Sequence, residues 1–206
     1  MARKVEYDKE MFLIKAKDYI NEFGIELLNS RDLCKYIGCS TQPLFRNFNN
    51  MDNFKIELKK YLHDYYDLYI DKIIDKNDYL YTISYAYASF AYNESKIFKA
   101  LFMSELAGSR TIDEVLSSSW NVETITSIPE QYSLTLEQAK TLYRDVRFYT
   151  HGLSCQIACK SIVVTDEEMK SLIRTLIDNL EMVIKWNKLL EILKLFINTE
   201  KNIKVA

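Results

Sequence analysis

Residues 38–48 read GCSTQPLFRNF and have the form of a tight turn followed by a short helix. Gly38 adopts a positive φ at no steric cost, so we expect it to end the preceding helix. Ser40 is expected to accept a backbone N–H bond and thereby start the next helix. Leu44 and Phe48 are four residues apart, so they share the inward face of that helix.

The polar side chains of the short helix lie on its other faces. Thr41, Gln42, Arg46 and Asn47 are of the types that hydrogen-bond base edges and phosphates in duplex DNA. A helix with this selection, directly after a glycine turn, indicates the reading helix of a helix-turn-helix. Each side chain alone could equally be a solvated polar residue, but the agreement of spacing and turn favours DNA binding for the set.

The composition favours a mostly helical protein. Only 4 Gly and 2 Pro occur in 206 residues, which argues against the many turns of a β-sandwich or barrel. The formal net charge of -2 gives no overall attraction to DNA, so a nucleic-acid surface must be local. The N-terminus has no apolar signal segment, and no apolar run is long enough to span a bilayer, so we expect a cytoplasmic protein.

Helical periodicity continues on both sides of the turn. It predicts a first helix over residues 8–23 with Asp8 as its cap, a second over 30–37 with Ser30 as its cap, and a fourth over 52–74. The polar run at residues 75–78 marks the end of the fourth helix. We therefore predict an all-α chain with a helix-turn-helix DNA-binding domain at 1–50, a connecting helix at 51–75, and a ligand-binding and dimerisation domain at 76–206.

The second half of the chain combines aromatic and amphipathic helices. Residues 79–92 carry no charge, which is typical of a buried helix, although so aromatic a helix could also line a cavity. Pro129 is expected to end the helix that carries Trp120. Two long helices follow, each opened by a capping signature. If their apolar stripes are wider than one partner covers, they form a four-helix bundle with a second copy.

The sequence offers little support for catalysis or for metal binding. Its four cysteines form two distant pairs, Cys34 with Cys39 and Cys155 with Cys159, and neither pair has a flanking histidine. We therefore interpret them as small, reduced, apolar residues rather than as metal ligands. His63 and His151 have neither clustered carboxylates nor a nucleophile motif around them. A glycine-rich phosphate loop is missing as well, so we predict no catalytic site, no metal and no cofactor.

From Phe12 to Phe54 the sequence resembles, without a gap, the TetR family of bacterial transcriptional regulators. The family pattern of Gly-Cys-Ser, then Leu-Phe, then a second Phe is present between Gly38 and Phe48. The segments 87–102 and 148–153 resemble the helix pairs of a TetR subgroup with an aromatic-x-x-His-Gly signature. Two departures concern phosphate contacts, because Met51 replaces the usual lysine and Phe45 the usual tyrosine. Lys55, one turn on, is the expected substitute for that lysine.

The resemblance implies a ligand-responsive repressor that binds a near-palindromic operator as a homodimer through its last two long helices. Half-sites would lie about 34–36 Å apart, one helical turn of DNA. The expected DNA contacts are Ser30, Arg31, Thr41, Gln42, Phe45, Arg46, Asn47 and Lys55. The expected effector contacts, for most of which dense core is the alternative, are Tyr85, Phe90, Phe98, Phe102, Trp120, Phe148 and His151. The alternative function is a helical small-molecule sensor or partner-binding protein that has lost DNA binding.

Overall fold

The computed structural model describes residues 7–203, except for the side chains of residues 120, 192 and 195–203. Within that part, the chain forms ten α-helices and no β-strand, which confirms the all-α prediction. The helices are α1 Lys9–Phe23, α2 Ser30–Ile37, α3 Thr41–Phe48, α4 Met51–Ile70, α5 Tyr79–Asn93, α6 Ser95–Phe102, α7 Ile112–Leu116, α8 Ser119–Tyr132, α9 Leu136–Ala158 and α10 Asp166–Ile203. None of the described helices is both long and apolar enough to cross a bilayer.

The described chain divides into two compact units. Unit 1 comprises the chain up to Ile73 together with Ala86–Ser109 and Gly152–Val163, and unit 2 comprises Ile74–Tyr85, Arg110–His151 and the chain from Val164 onward. Helices α5 and α9 therefore contribute residues to both units. This is a division by backbone proximity, and the functional division at residues 50 and 75 stays a prediction.

The core of unit 1 is built from the inward faces of its helices. Helix α1 packs against α2, α3, α4 and α6. The fully buried apolar side chains of the first four helices are Phe12, Ala16, Ile20, Leu33, Cys34, Leu44, Phe48, Phe54, Leu58, Leu62 and Ile70. The Phe48 ring lies edge-on to those of Phe12 and Phe54, with ring centroids 6.2 and 5.0 Å away. The three- and four-residue periodicity of the sequence predicts most of these inward side chains, but it also includes Phe23 and Leu68, which are 43% and 64% exposed.

The cap of α2 differs from the prediction. Asn29, not Ser30, is the N-cap, and its Oδ1 accepts hydrogen bonds from the backbone N–H groups of Arg31 at 3.1 Å and Asp32 at 3.0 Å. The Asn29 amide also donates to the Asp32 carboxylate at 2.7 Å. Ser30 already has helical geometry, so its hydroxyl lies one position too late to cap.

Replacing each of these two neighbours by alanine tests the assignment of the N-cap. Asn29→Ala should lower the free energy of unfolding by about 1 kcal/mol, the usual value of an N-cap side chain. Ser30→Ala, the matched control, should change it by less than about 0.5 kcal/mol. Urea denaturation followed by circular dichroism measures both changes. A larger loss for Ser30→Ala than for Asn29→Ala would contradict the assignment.

Two further boundaries differ from the sequence prediction. Helix α4 ends at Ile70 rather than near residue 74. Helix α8 continues past Pro129 and ends at Tyr132, where Ser133 takes a left-handed conformation and donates its backbone N–H to the Pro129 carbonyl. For the last apolar stretch, residues 189–197, the sequence allowed either an extension of the preceding helix or a separate short helix, and the structure shows the extension. The capping pairs Thr135–Gln138 and Thr165–Glu168 are present as predicted, with reciprocal hydrogen bonds.

Candidate functional site

The turn between α2 and α3 is set by one glycine. Gly38 has φ 83° and ψ 33°, the left-handed conformation that the sequence predicts. The Gly38 N–H donates to the Lys35 carbonyl at 3.2 Å, and the Cys39 N–H donates to the Cys34 carbonyl at 2.9 Å. This pair of bonds is a Schellman motif, which satisfies the last carbonyls of α2 and fixes the direction of the chain into α3.

Helix α3 has an inward and an outward face. Leu44 and Phe48 are buried in the core of unit 1. Gln42 and Arg46 are exposed, while Thr41 and Phe45 are partly buried. The exposed amide and guanidinium are the two side chains of α3 with the geometry for bidentate bonds to base edges. Ser40 stands at the N-cap of α3, but its side chain makes no capping hydrogen bond, contrary to expectation.

Asn47 is engaged within the protein. Its side-chain amide donates to the Tyr7 carbonyl at 2.7 Å and to the Pro43 carbonyl at 2.9 Å. The amide therefore joins α3 to the segment that precedes α1. This contact positions α3, and the same donor would have to be released for a direct contact with DNA.

Lys55 of α4 is also engaged. Its ammonium forms an ion pair with the Glu105 carboxylate, which lies after α6, and the pairing lowers the pKa of Glu105. One turn further along α4, Lys59 Nζ donates to the Ala107 carbonyl at 3.3 Å. The segment after α6 therefore binds both lysines. Lys55 would contact a phosphate only by exchanging its carboxylate partner for that phosphate.

The start of α2 presents an exposed cation. Arg31 is exposed and Ser30 is partly buried. The backbone N–H groups of Arg31 and Asp32 donate to Asn29, so these two donors are already engaged within the protein. Lys35 is also exposed. Lys35 was not among the DNA contacts expected from the sequence. Its position one helical turn after Arg31, on the same face of α2, was the signal that could have indicated it.

Three of the expected effector residues form one aromatic cluster in unit 1. Phe90 and Phe98 are fully buried and Phe102 is partly buried. The Phe102 ring centroid lies 5.1 Å from that of Phe98, and both rings pack against Tyr87 at 5.0 and 5.2 Å. Phe90 packs 5.1 Å from Tyr66, which itself lies 5.3 Å from Phe102. The dense-core interpretation therefore has direct support for these three side chains.

The other expected effector residues belong to unit 2. Tyr85 donates its hydroxyl to Asp166 at 2.6 Å, and Lys170 Nζ lies 5.1 Å from the Tyr85 ring centroid. Phe148 is exposed, and His151 is partly buried. Burial, and secondarily the charge of Arg147, lowers the pKa of His151, which favours its neutral imidazole. The side chain of Trp120 lies outside the described residues.

Helix α10 carries a broad exposed apolar face. The large apolar side chains on it are Met182, Val183, Trp186, Leu189, Leu190 and Leu193. A shallow surface depression of about 410 Å³ follows this face between Asp178 and Leu189. On the opposite face, Ile173 and Ile177 are buried in unit 2. The first turns of α10 are therefore held in unit 2, and its apolar face from Met182 to Leu193 is not covered by the described residues. Among the described residues, no group of three or more metal-ligating side chains is placed to hold an ion.

The arrangement of helices is similar to that of a known regulator. A TetR variant from Acinetobacter baumannii AYE, solved in complex with minocycline, aligns over 91% of this chain and 98% of its own chain, with a TM-score of 0.51 and 16% sequence identity. The chain therefore has the TetR-like fold. No protein-family model and no curated protein sequence matches the chain.

Proposed function

We propose that the protein is a cytoplasmic, DNA-binding transcriptional repressor that responds to a small molecule, rather than an enzyme. The proposal rests on the way α3 is held, with its inner face buried and its polar outer face exposed. A glycine turn fixes this helix to α2, Leu44 and Phe48 hold its inner face in the core, and its outer face exposes an amide and a guanidinium. In a TetR-like fold, these features support a role for α3 as the reading helix.

The DNA interface we propose comprises the outer face of α3 and the start of α2. Gln42 would read an adenine and Arg46 a guanine or a phosphate, with Thr41 and Phe45 at the edge of the groove. Ser30 and Arg31 would contact the backbone, which fixes register without reading sequence. Asn47 positions α3, and Lys55 joins the interface once it leaves Glu105.

Two copies would pair through α9 and α10. Monomeric proteins rarely leave so long an apolar stripe uncovered, and the exposed face of α10 is continuous over three helical turns. A two-fold pair presents two reading helices, so the operator would be a near-palindrome with half-sites about 34–36 Å apart. An effector in the second domain lowers DNA affinity if it binds one spacing of the two reading helices better than the other.

A second candidate function is a helical sensor or partner-binding protein that no longer binds DNA. It is favoured by the internal engagement of Asn47 and Lys55, which removes two polar groups from the interface. The net charge of -2 agrees with it as well. The two functions differ in whether the reduced, effector-free protein shifts DNA at low salt.

The decisive measurement is DNA binding by single-site variants. Fluorescence anisotropy with the promoter fragment beside the protein's own gene should show salt-sensitive binding. Gln42→Ala and Arg46→Ala should each weaken it by about tenfold or more, because a bidentate base contact contributes about 1–3 kcal/mol. Gln156→Ala and Arg110→Ala remove the same exposed side-chain types elsewhere and should have no effect. Equal affinities for all four variants, or no binding at low salt, would favour the second candidate.

A further inference from the structure

Two cysteines meet across the turn that orients α3. Cys34 lies in the last turn of α2 and Cys39 directly follows Gly38. In the Schellman motif these are the two positions whose side chains pack against each other. The Cys39 thiol lies near enough to that of Cys34 to contribute to its raised pKa, so the two side chains are neighbours at the turn. Both are free thiols in this structure.

The backbone holds the two residues within bridging distance. The Cys39 N–H donates to the Cys34 carbonyl oxygen at 2.9 Å. Even with the intervening bonds fully extended, this limits the separation of the two Cα atoms to about 6.8 Å. Disulfides span Cα separations of roughly 4.4–6.8 Å, so the pair can be bridged.

The two thiols differ in access. Cys34 is fully buried, and this burial, with the nearby Cys39, raises the pKa of the Cys34 thiol to about 12. Cys39 is only partly buried. A dissolved oxidant therefore reaches Cys39 first, and Cys34 is held beside it as the second sulfur.

We propose that Cys34 and Cys39 form a reversible disulfide when the protein meets a hydroperoxide, and that this bond lowers operator affinity by moving α3. The second part rests on the proposed DNA-binding function, whereas the first part does not. The Cys39 sulfur attacks the peroxide, an S–O bond forms and the O–O bond breaks. The leaving oxygen takes the Cys39 thiol proton and departs as alcohol or water. The Cys34 sulfur then attacks Cys39, an S–S bond forms, and the S–O bond breaks to release water with the Cys34 proton. The two thiols lose two electrons and the peroxide gains them.

The bond acts on α3 through the chain that follows it. Two sulfur atoms that are not bonded to each other lie more than about 3 Å apart, whereas a disulfide holds them at about 2.05 Å. Closing that gap draws Cys39 toward α2, and Cys39 is followed directly by Ser40, the N-cap of α3. Gln42 lies in the first turn of α3 and moves with it.

Peptide mapping identifies the bond directly. Trypsin cleaves after Arg31, Lys35 and Arg46, so Cys34 and Cys39 fall on separate peptides, 32–35 and 36–46. Cys155 and Cys159 remain together on peptide 148–160. The full-length protein is treated with hydrogen peroxide, alkylated, and digested without reduction. We expect peptides 32–35 and 36–46 to be linked, with the loss of two hydrogen atoms, and to separate on addition of dithiothreitol.

Matched variants and DNA binding complete the test. Cys39→Ser should abolish the link, and Cys159→Ser, which removes an exposed thiol elsewhere, should retain it. Peroxide should lower operator affinity by about tenfold, the loss of one bidentate base contact, in the wild type but not in Cys39→Ser. Absence of the linked peptides would overturn the disulfide, and unchanged affinity of the linked protein would overturn its effect on DNA. A reduced protein that binds no DNA would instead refute the proposed function, and the linked peptides would still decide the disulfide.

Discussion

A variant with Trp186→Glu and Leu189→Glu is expected to be monomeric and to lose specific operator binding. The exposed fractions of these side chains are 60% and 46%, and they lie three residues apart on the uncovered face of α10. In a two-fold pair the changes place four carboxylates in one apolar contact. Burying even a hydrogen-bonding group without a partner costs about 1–3 kcal/mol, so the pair should weaken by at least about a thousandfold.

The fold of the subunit should survive these changes. Ile173 and Ile177 anchor α10 from its opposite face, and neither is altered. Circular dichroism should therefore show unchanged helix content, while sedimentation velocity should show the mass of one chain at micromolar concentration. Val163→Glu is the matched control, because Val163 is 95% exposed and lies between α9 and α10. A variant that sediments as a dimer would refute pairing through this face.

Loss of pairing should reduce operator binding more than loss of one base contact does. A dimer binds the second half-site as an intramolecular event, at an effective concentration far above that of free protein. A monomer has one reading helix and gains no such advantage. We therefore expect the α10 variant to bind the operator more weakly than Arg46→Ala, although every residue of the proposed DNA interface is intact.

Local chemistry made the α2–α3 turn predictable. Gly38 supplies the left-handed conformation, and the spacing of Leu44 and Phe48 decides which face of α3 turns inward, so both followed from the sequence. The cap of α2 did not follow, because Asn29 and Ser30 are adjacent and both are good capping residues. The residue at which the backbone becomes helical decides between them, and the residue types alone do not reveal it.

The engagement of the interface residues was not predictable. Lys55 pairs with Glu105 and Asn47 with the carbonyl of Tyr7, across 50 and 40 residues of chain respectively. No local periodicity reports such contacts. The effector residues present a different difficulty, since a buried aromatic core and a ligand cavity have the same sequence signature.

Phe90→Ala is expected to lower the free energy of unfolding by about 3–5 kcal/mol, as truncation of a fully buried phenylalanine does. The Phe90 side chain is 0% exposed, and its ring centroid lies 6.3 Å from that of Tyr65 and 5.1 Å from those of Tyr66 and Tyr69. Truncation would remove contacts with all three rings of α4. Thermal and urea denaturation measure the change. All variants are compared at one protein concentration, so that self-association contributes equally to each.

Tyr92→Ala is the matched control for this measurement. Tyr92 lies two residues further along the same helix and is 56% exposed, so its removal should change stability by less than about 1 kcal/mol. A change of that small size for Phe90→Ala as well would contradict the dense core, because a side chain at the wall of an empty cavity has fewer contacts to lose. If the large loss is found, Phe90 contributes to folding. The effector contacts are then to be sought among the less buried side chains of unit 2, Tyr85, Phe148 and His151.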